Sequence, residues 1–141
     1  KQMLCQMEKQ GEGSILNVAS SAGLLPAGPY MATYYATKSY VTSLTRAVAL
    51  ELKEKKSNVY VGALCPGPVD TEFNKVANVE FAIPSITPTY CASYAIRKME
   101  KRKIVIVPKN KMKVLAFISR VLPQSLVIRM TARQQKKKRN W

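Results

Sequence analysis

The sequence predicts an α/β protein: a parallel sheet of three strands joined by crossover helices. Two short apolar runs, Ser14 to Ser20 and Val59 to Cys65, are bounded by glycine or proline turns, as strands buried on both faces are. Between them, residues 33 to 56 contain no Gly or Pro, which suits a long helix. A third run, Lys103 to Pro108, is rich in β-branched residues and follows a second uninterrupted segment, Thr89 to Lys101. Strand, helix, strand, helix, strand then alternate, which calls for right-handed crossovers and a parallel sheet.

The remaining elements follow in order. Met3, Leu4 and Met7 fall at helical spacing before the turn Gly11-Glu12-Gly13, so the chain opens on the end of a helix. Gly23 to Pro29, with two glycines and two prolines, is a loop. In the long helix Val41, Leu44, Val48 and Leu52 mark the apolar stripe. Pro66-Gly67-Pro68 stops the second strand, and the polar, proline-dotted stretch to Pro88 reads as a loop with one helical turn, long enough to form a lid. Phe73, Phe81 and Ile83 supply its apolar residues. Residues 111 to 133 read as helical with a break at Pro123, and Gln134 to Asn140 as a basic tail that frays. The expected division is a catalytic unit over residues 1–110 and a basic amphipathic helix and tail over 111–141, without internal repeats.

Composition narrows the chemistry. The 141 residues, 47% hydrophobic and 22% charged, suit one folded domain. No histidine occurs, which excludes histidine triads, imidazole bases and histidine metal sites. The three cysteines, Cys5, Cys65 and Cys91, show no Cys-x-x-Cys spacing, so neither a disulfide framework nor a zinc site is expected. A reducing, cytoplasmic setting follows as the expectation. The net charge of +15 is lopsided: residues 97 to 141 hold 15 Lys and Arg against Glu100 alone.

Tyr34 and Lys38 stand four residues apart, a spacing that puts a phenol and an ammonium on one helix face. Before them a serine pair, Ser20 and Ser21, ends a strand, and after them Pro-Gly-Pro-Val-Asp-Thr ends the next. Open α/β sheets place ligands beyond the carboxyl ends of their strands. Tyr94 and Lys98 share the Tyr-x-x-x-Lys spacing without that setting and read as a coincidence on a helix surface.

These three motifs in this order resemble the short-chain dehydrogenase/reductase family over roughly residues 10 to 110. The stretch Pro29 to Lys38 and the strand, basic loop and Leu-Pro helix near the C-terminus are similar to the branch containing long-chain 3-oxoacyl-CoA reductases, 17β-hydroxysteroid dehydrogenases and bacterial relatives. The resemblance implies the C-terminal half of a Rossmann-type doubly wound sheet and a catalytic set of Ser20, Tyr34 and Lys38. An adjacent ammonium and a helix N-terminus both favour phenolate over phenol, so a tyrosine so placed can give and take a proton. Ser20 would hydrogen-bond the substrate oxygen, and Lys38 would also hold ribose hydroxyls.

Aligning the strand Asn17-Val18-Ala19 selects Ser20, 14 residues before Tyr34, whereas a count of 13 selects Ser21. Ser20 is preferred because sheet hydrogen bonds fix a strand end while the Leu24 to Pro29 loop can absorb one extra residue. Tyr34, Lys38, Pro66, Gly67, Val69 and Thr71 are the expected cofactor contacts, a plain proline-rich turn being the competing reading of the last four. The implied cofactor is NADP, with NAD as the alternative, and the implied substrate a small carbonyl or alcohol, a hydrophobic ketone or 3-oxoacyl compound. Family members of full length are expected to form homo-oligomers.

A dinucleotide enzyme needs a glycine-rich turn opening a helix, because only there can backbone N–H groups approach the pyrophosphate. Of the six glycines, the close pair Gly11 and Gly13 leads into a strand. The expectation is therefore half of a longer enzyme, weak in dinucleotide binding and turnover by itself. The basic C-terminal segment mixes Lys109, Lys111, Lys113, Arg120, Arg129 and Arg133 with apolar residues, so it can touch an anionic membrane surface peripherally or cap the cleft. A non-catalytic module that binds membrane or nucleic acid through this tail is the alternative. Nucleic acid is disfavoured because aromatic residues do not interleave with the basic run.

Overall fold

The two turn-bounded apolar runs form β1 (Ser14–Val18) and β2 (Tyr60–Leu64), parallel and in register from Ser14 opposite Tyr60 to Val18 opposite Leu64. On the other side of β2 lies β3 (Val105–Ile106), also parallel, giving the order β1-β2-β3. This computed structural model describes residues 2–72 and 84–139; the expected lid residues Phe73, Phe81 and Ile83 lie outside them. Every residue of β2 is buried, as its unbroken apolar character requires of a central strand.

Successive strand side chains point to opposite faces, and the core divides accordingly. Toward α1 (Gln2–Gln10) and α2 (Ala32–Glu54), Val61 packs with Leu52, Val48, Leu4 and Met7, while Ala63 and Cys65 pack with Val41. Met112 of α4 (Asn110–Val121) closes the same layer. On the opposite face, Leu64 and Ile106 pack with Cys91 and Ala95 of α3 (Pro88–Glu100). Helices thus cover both faces of a parallel sheet, the doubly wound arrangement expected from the alternation of elements. The N-terminus of α3 carries Pro88 in its first turn and a Thr87 hydroxyl that accepts from the Tyr90 N–H at 3.2 Å, which ends the preceding loop.

Two expectations need correction. In α2 the buried stripe is Tyr35, Thr42, Thr45, Ala49 and Leu52, and Leu44 is 46% exposed. The helix can bury threonines because their hydroxyls are satisfied: Thr42 donates to the Lys38 carbonyl at 2.8 Å and Thr45 to the Val41 carbonyl at 2.7 Å. Asn17 of β1 then donates its amide to the Thr45 hydroxyl at 2.9 Å, tying helix to sheet.

The expected frayed tail is instead the end of a helix, α5 (Gln124–Arg139), which starts after Pro123. Thr131 and Gln135 on it are buried, Gln135 to 2% exposure. No helix among the described residues is long and apolar enough to cross a membrane.

Candidate active site

At the carboxyl end of β1 the strand gives way to Ala19, whose N–H still donates to the Leu64 carbonyl at 2.8 Å, and then to Ser20. Ser20 is 8% exposed and caps a single 3-10 turn, Ser21–Leu24, its Oγ accepting from the Ala22 N–H at 3.2 Å. A hydroxyl has one hydrogen to give and two lone pairs, so this cap leaves the Ser20 O–H able to donate elsewhere. The backbone N–H of Ser21 donates to the Pro66 carbonyl at 2.8 Å and joins the loops that follow β1 and β2.

Gly23 presses the 3-10 turn against α2. A Cβ there would meet the Lys38 backbone carbonyl, with the Thr42 hydroxyl at 2.6 Å, so only glycine permits this approach. The contact brings α2 close to the strand end, and Lys38 completes it by donating from Nζ to the Val18 carbonyl at 3.2 Å. The same ammonium lies 5.8 Å from the centroid of the Tyr34 ring. The spacing of four residues therefore does bring phenol and ammonium together, at the end of β1.

Tyr34 and Tyr35 are adjacent but separate in role. Their rings meet edge to face, with centroids 6.3 Å apart. Tyr35 is 7% exposed and accepts from the Gln135 side-chain amide at 2.8 Å; burial pushes its phenol up, the Gln135 bond partly opposing this. Tyr34 is half-buried, with Lys38 Nζ 5.8 Å from its ring centroid. The structural tyrosine is thus Tyr35.

The loop after β2 follows the same edge of the sheet. Pro66 accepts from Ser21, and Gly67 sits where an added Cβ would come within 3.1 Å of the Met112 side chain. Val69 bridges to Ile86, with the Asp70 N–H donating to the Ile86 carbonyl at 2.9 Å and the Ile86 N–H to the Pro68 carbonyl at 3.0 Å. Thr71 is exposed. Pro66, Gly67, Val69 and Thr71 therefore belong to a pinned loop beside the end of β2.

Cys65, just past β2, is fully buried, and burial pushes its thiol up, the setting of a structural and not a reactive cysteine. Among the described residues no group of three His, Cys, Asp or Glu could hold a metal.

The spacing of Tyr94 and Lys98, read from the sequence as a coincidence on a helix surface, belongs to a real cluster. The Tyr94 hydroxyl accepts from Lys113 Nζ at 2.9 Å, and Lys98 and Lys113 lie 5.3 and 5.5 Å from its ring centroid. The hydrogen bond from Lys113 holds its phenol below the usual range; burial opposes this, and the charges of Lys113, Lys98 and Arg97 add to the lowering. Lys113 stands 19 residues away on another helix, so no local spacing announces it.

The family model for short chain dehydrogenases matches residues 1–80. The D-beta-hydroxybutyrate dehydrogenase of Rhizobium meliloti is 46% identical over 65 residues, which are 46% of this chain and 24% of that protein. The dehydrogenase/reductase SDR family member 4 of Bos taurus is 35% identical over 101 residues, 72% of this chain and 34% of that protein. The chain thus spans between 24% and 34% of the length of these relatives. A solved short-chain dehydrogenase from Sphingobium yanoikuyae, in complex with NADPH, shares the fold with a TM-score of 0.66 at 24% identity, over 83% of this chain and 47% of that one.

Proposed function

Because this chain belongs to the short chain dehydrogenase family, we propose that Ser20, Tyr34 and Lys38 handle the oxygen and its proton in a nicotinamide-dependent interconversion of a carbonyl and an alcohol. The observation that carries this is the placement of the Lys38 ammonium, 3.2 Å from the last carbonyl of β1 and 5.8 Å from the Tyr34 ring centroid. In reduction Tyr34 gives its phenolic proton to the carbonyl oxygen; in oxidation it takes that proton from the alcohol. Ser20 donates its hydroxyl hydrogen to the same oxygen while the Ala22 N–H holds its Oγ in place.

Lys38 spends one of three N–H donors on Val18, leaving two for ribose hydroxyls and for the phenolic oxygen. That donor set, with the pinned Pro66 to Thr71 loop beside it, fits the nicotinamide end of a dinucleotide. When bound, the nicotinamide supplies or accepts the hydride. Pro66, Gly67, Val69 and Thr71 would border it. NADP is the preferred form, supported by the NADPH held by the Sphingobium yanoikuyae neighbour, with NAD the alternative. The substrate is a small carbonyl or alcohol, in our reading a hydrophobic ketone or 3-oxoacyl compound.

The test is steady-state reduction of such ketones by the holoenzyme with NADPH. Tyr34→Phe and Lys38→Met should each lower turnover by about 10²-fold or more with circular dichroism unchanged, and Ser20→Ala should lower it far more than Ser21→Ala. Parental turnover in Tyr34→Phe would remove the proposal.

A further inference from the structure

Three lysines converge where α3, the end of β3 and the start of α4 meet, around an open cavity of about 750 Å³. Lys98 comes from the last turn of α3, Lys109 from the cap of α4 and Lys113 from its first turn; Tyr90 and Tyr94 form the aromatic wall, their centroids 6.0 Å apart. No carboxylate lines the cavity among the described residues.

Among the described residues the partners of these cations are all neutral. Lys109 donates to the Pro84 carbonyl at 2.7 Å, and Lys113 to the Tyr94 hydroxyl at 2.9 Å and the Asn110 side-chain oxygen at 3.2 Å. Lys98 and Lys113 also face the Tyr94 ring. Three positive charges are thereby gathered in one concave site, their hydrogen-bond donors organised but their charge uncompensated.

Two helix N-termini add to the field. The cavity takes in Thr87 and Asn110, which stand at the starts of α3 and α4, and the cap residue Lys109 makes no side-chain cap to the first-turn amides of α4. Lysines are compact point charges without the planar fork that selects a single carboxylate, and a cluster of three matches a group with more than one negative charge.

From this the geometry points to a binding site for a phosphate group, a monoester or diphosphate, held by Lys98, Lys109 and Lys113 against the Tyr94 hydroxyl. Tyr94 fits such a site because its hydrogen, released from any role toward Lys113, can be donated to a phosphate oxygen. The lowered phenol of Tyr94 reports the same positive field. The site lies on the β3 side of the sheet, whereas Lys38 contacts the end of β1, so it stands or falls independently of the proposed catalysis.

Inorganic pyrophosphate titrated calorimetrically onto the full chain tests this. Binding is expected, weakening with added salt, and Lys113→Met or Lys98→Met should each reduce affinity roughly tenfold or more. Lys53→Met, at the exposed end of α2, should change nothing. Both cavity lysines reach the surface, and circular dichroism checks that their variants fold. No measurable pyrophosphate binding, or equal loss in Lys53→Met, overturns the site.

A second arm identifies the source of the phosphate. Vesicles containing phosphatidic acid that are bound by the chain and released by pyrophosphate would assign a lipid headgroup. Pyrophosphate binding without such competition would assign a soluble phosphorylated metabolite.

Discussion

Gln135 donates its side-chain amide to the hydroxyl of Tyr35 at 2.8 Å, bridging 100 residues of sequence. Next to it Lys136 lies 5.5 Å from the centroid of the Tyr30 ring, and Tyr30 holds the left-handed backbone conformation, φ 67°. Helix α5 therefore fastens the entry to α2, and Tyr34 sits in the first turn of that helix. The end of the chain braces the proposed proton donor through its neighbour.

Cutting this brace should be costly from either side. Gln135→Leu strands a buried phenolic hydroxyl and Tyr35→Phe strands the buried Gln135 amide, so each should destabilise by about 1–3 kcal/mol. In the Gln135→Leu background, Tyr35→Phe should cost nothing further. Urea unfolding of the double-mutant cycle measures this, and additive losses would contradict it.

Alkaline pH should act on the same pair. Burial makes the folded Tyr35 phenol titrate above its ordinary value, so its contribution is complete below the unfolded value and disappears as pH rises through the folded one. Stability should therefore decline above about pH 10, and the Tyr35→Phe variant should decline less. Thermal melts across that range decide the point.

Gly23→Ala should cost about 1–3 kcal/mol, since the new methyl meets backbone that cannot swing aside. The carbonyl it meets belongs to Lys38, so turnover should drop together with the melting temperature. Gly13→Ala meets only the Met7 side chain, which can move, and should lower stability less and turnover not at all.

Among the three cysteines Cys5 is exposed, while Cys65 and Cys91 are buried with thiols pushed up by burial. A thiol reagent at neutral pH should label Cys5 in the native protein and reach the other two only after urea unfolding. Peptide mass spectrometry reads the sites, and rapid native labelling of Cys65 would show that β2 is not buried as described.

Within the proposed site, Tyr34→Phe should lower kcat by about 10²–10⁴-fold, the usual share of a positioned proton donor. Tyr35→Phe, one residue away, should leave kcat at the parental order, since its hydroxyl is engaged by Gln135. Steady-state kinetics on the two variants tell the adjacent phenols apart.

Much of this was legible along the chain. Apolar runs between turns gave the parallel strands, but burial on both faces holds only for β2; β1 carries Asn17, is partly buried and leaves Val18 63% exposed. The pairing of Tyr34 with Lys38 followed from helical pitch, and their place beside a strand end from the serine pair that precedes them. The buried stripe of α2 was misread at Leu44 because hydrophobic periodicity gives no weight to Thr42 and Thr45, whose burial depends on hydrogen bonds made after the helix has formed.

What the sequence by itself determined is the set of local elements and the side chains each one offers, since both depend on neighbours within a turn or two. Which tyrosine became structural, whether the basic tail ended as helix, and that Tyr94 gathers lysines from two helices were decided only by tertiary packing. Those contacts join residues 100 and 19 positions apart, and their energy exists only once burial and chain closure have brought the partners together.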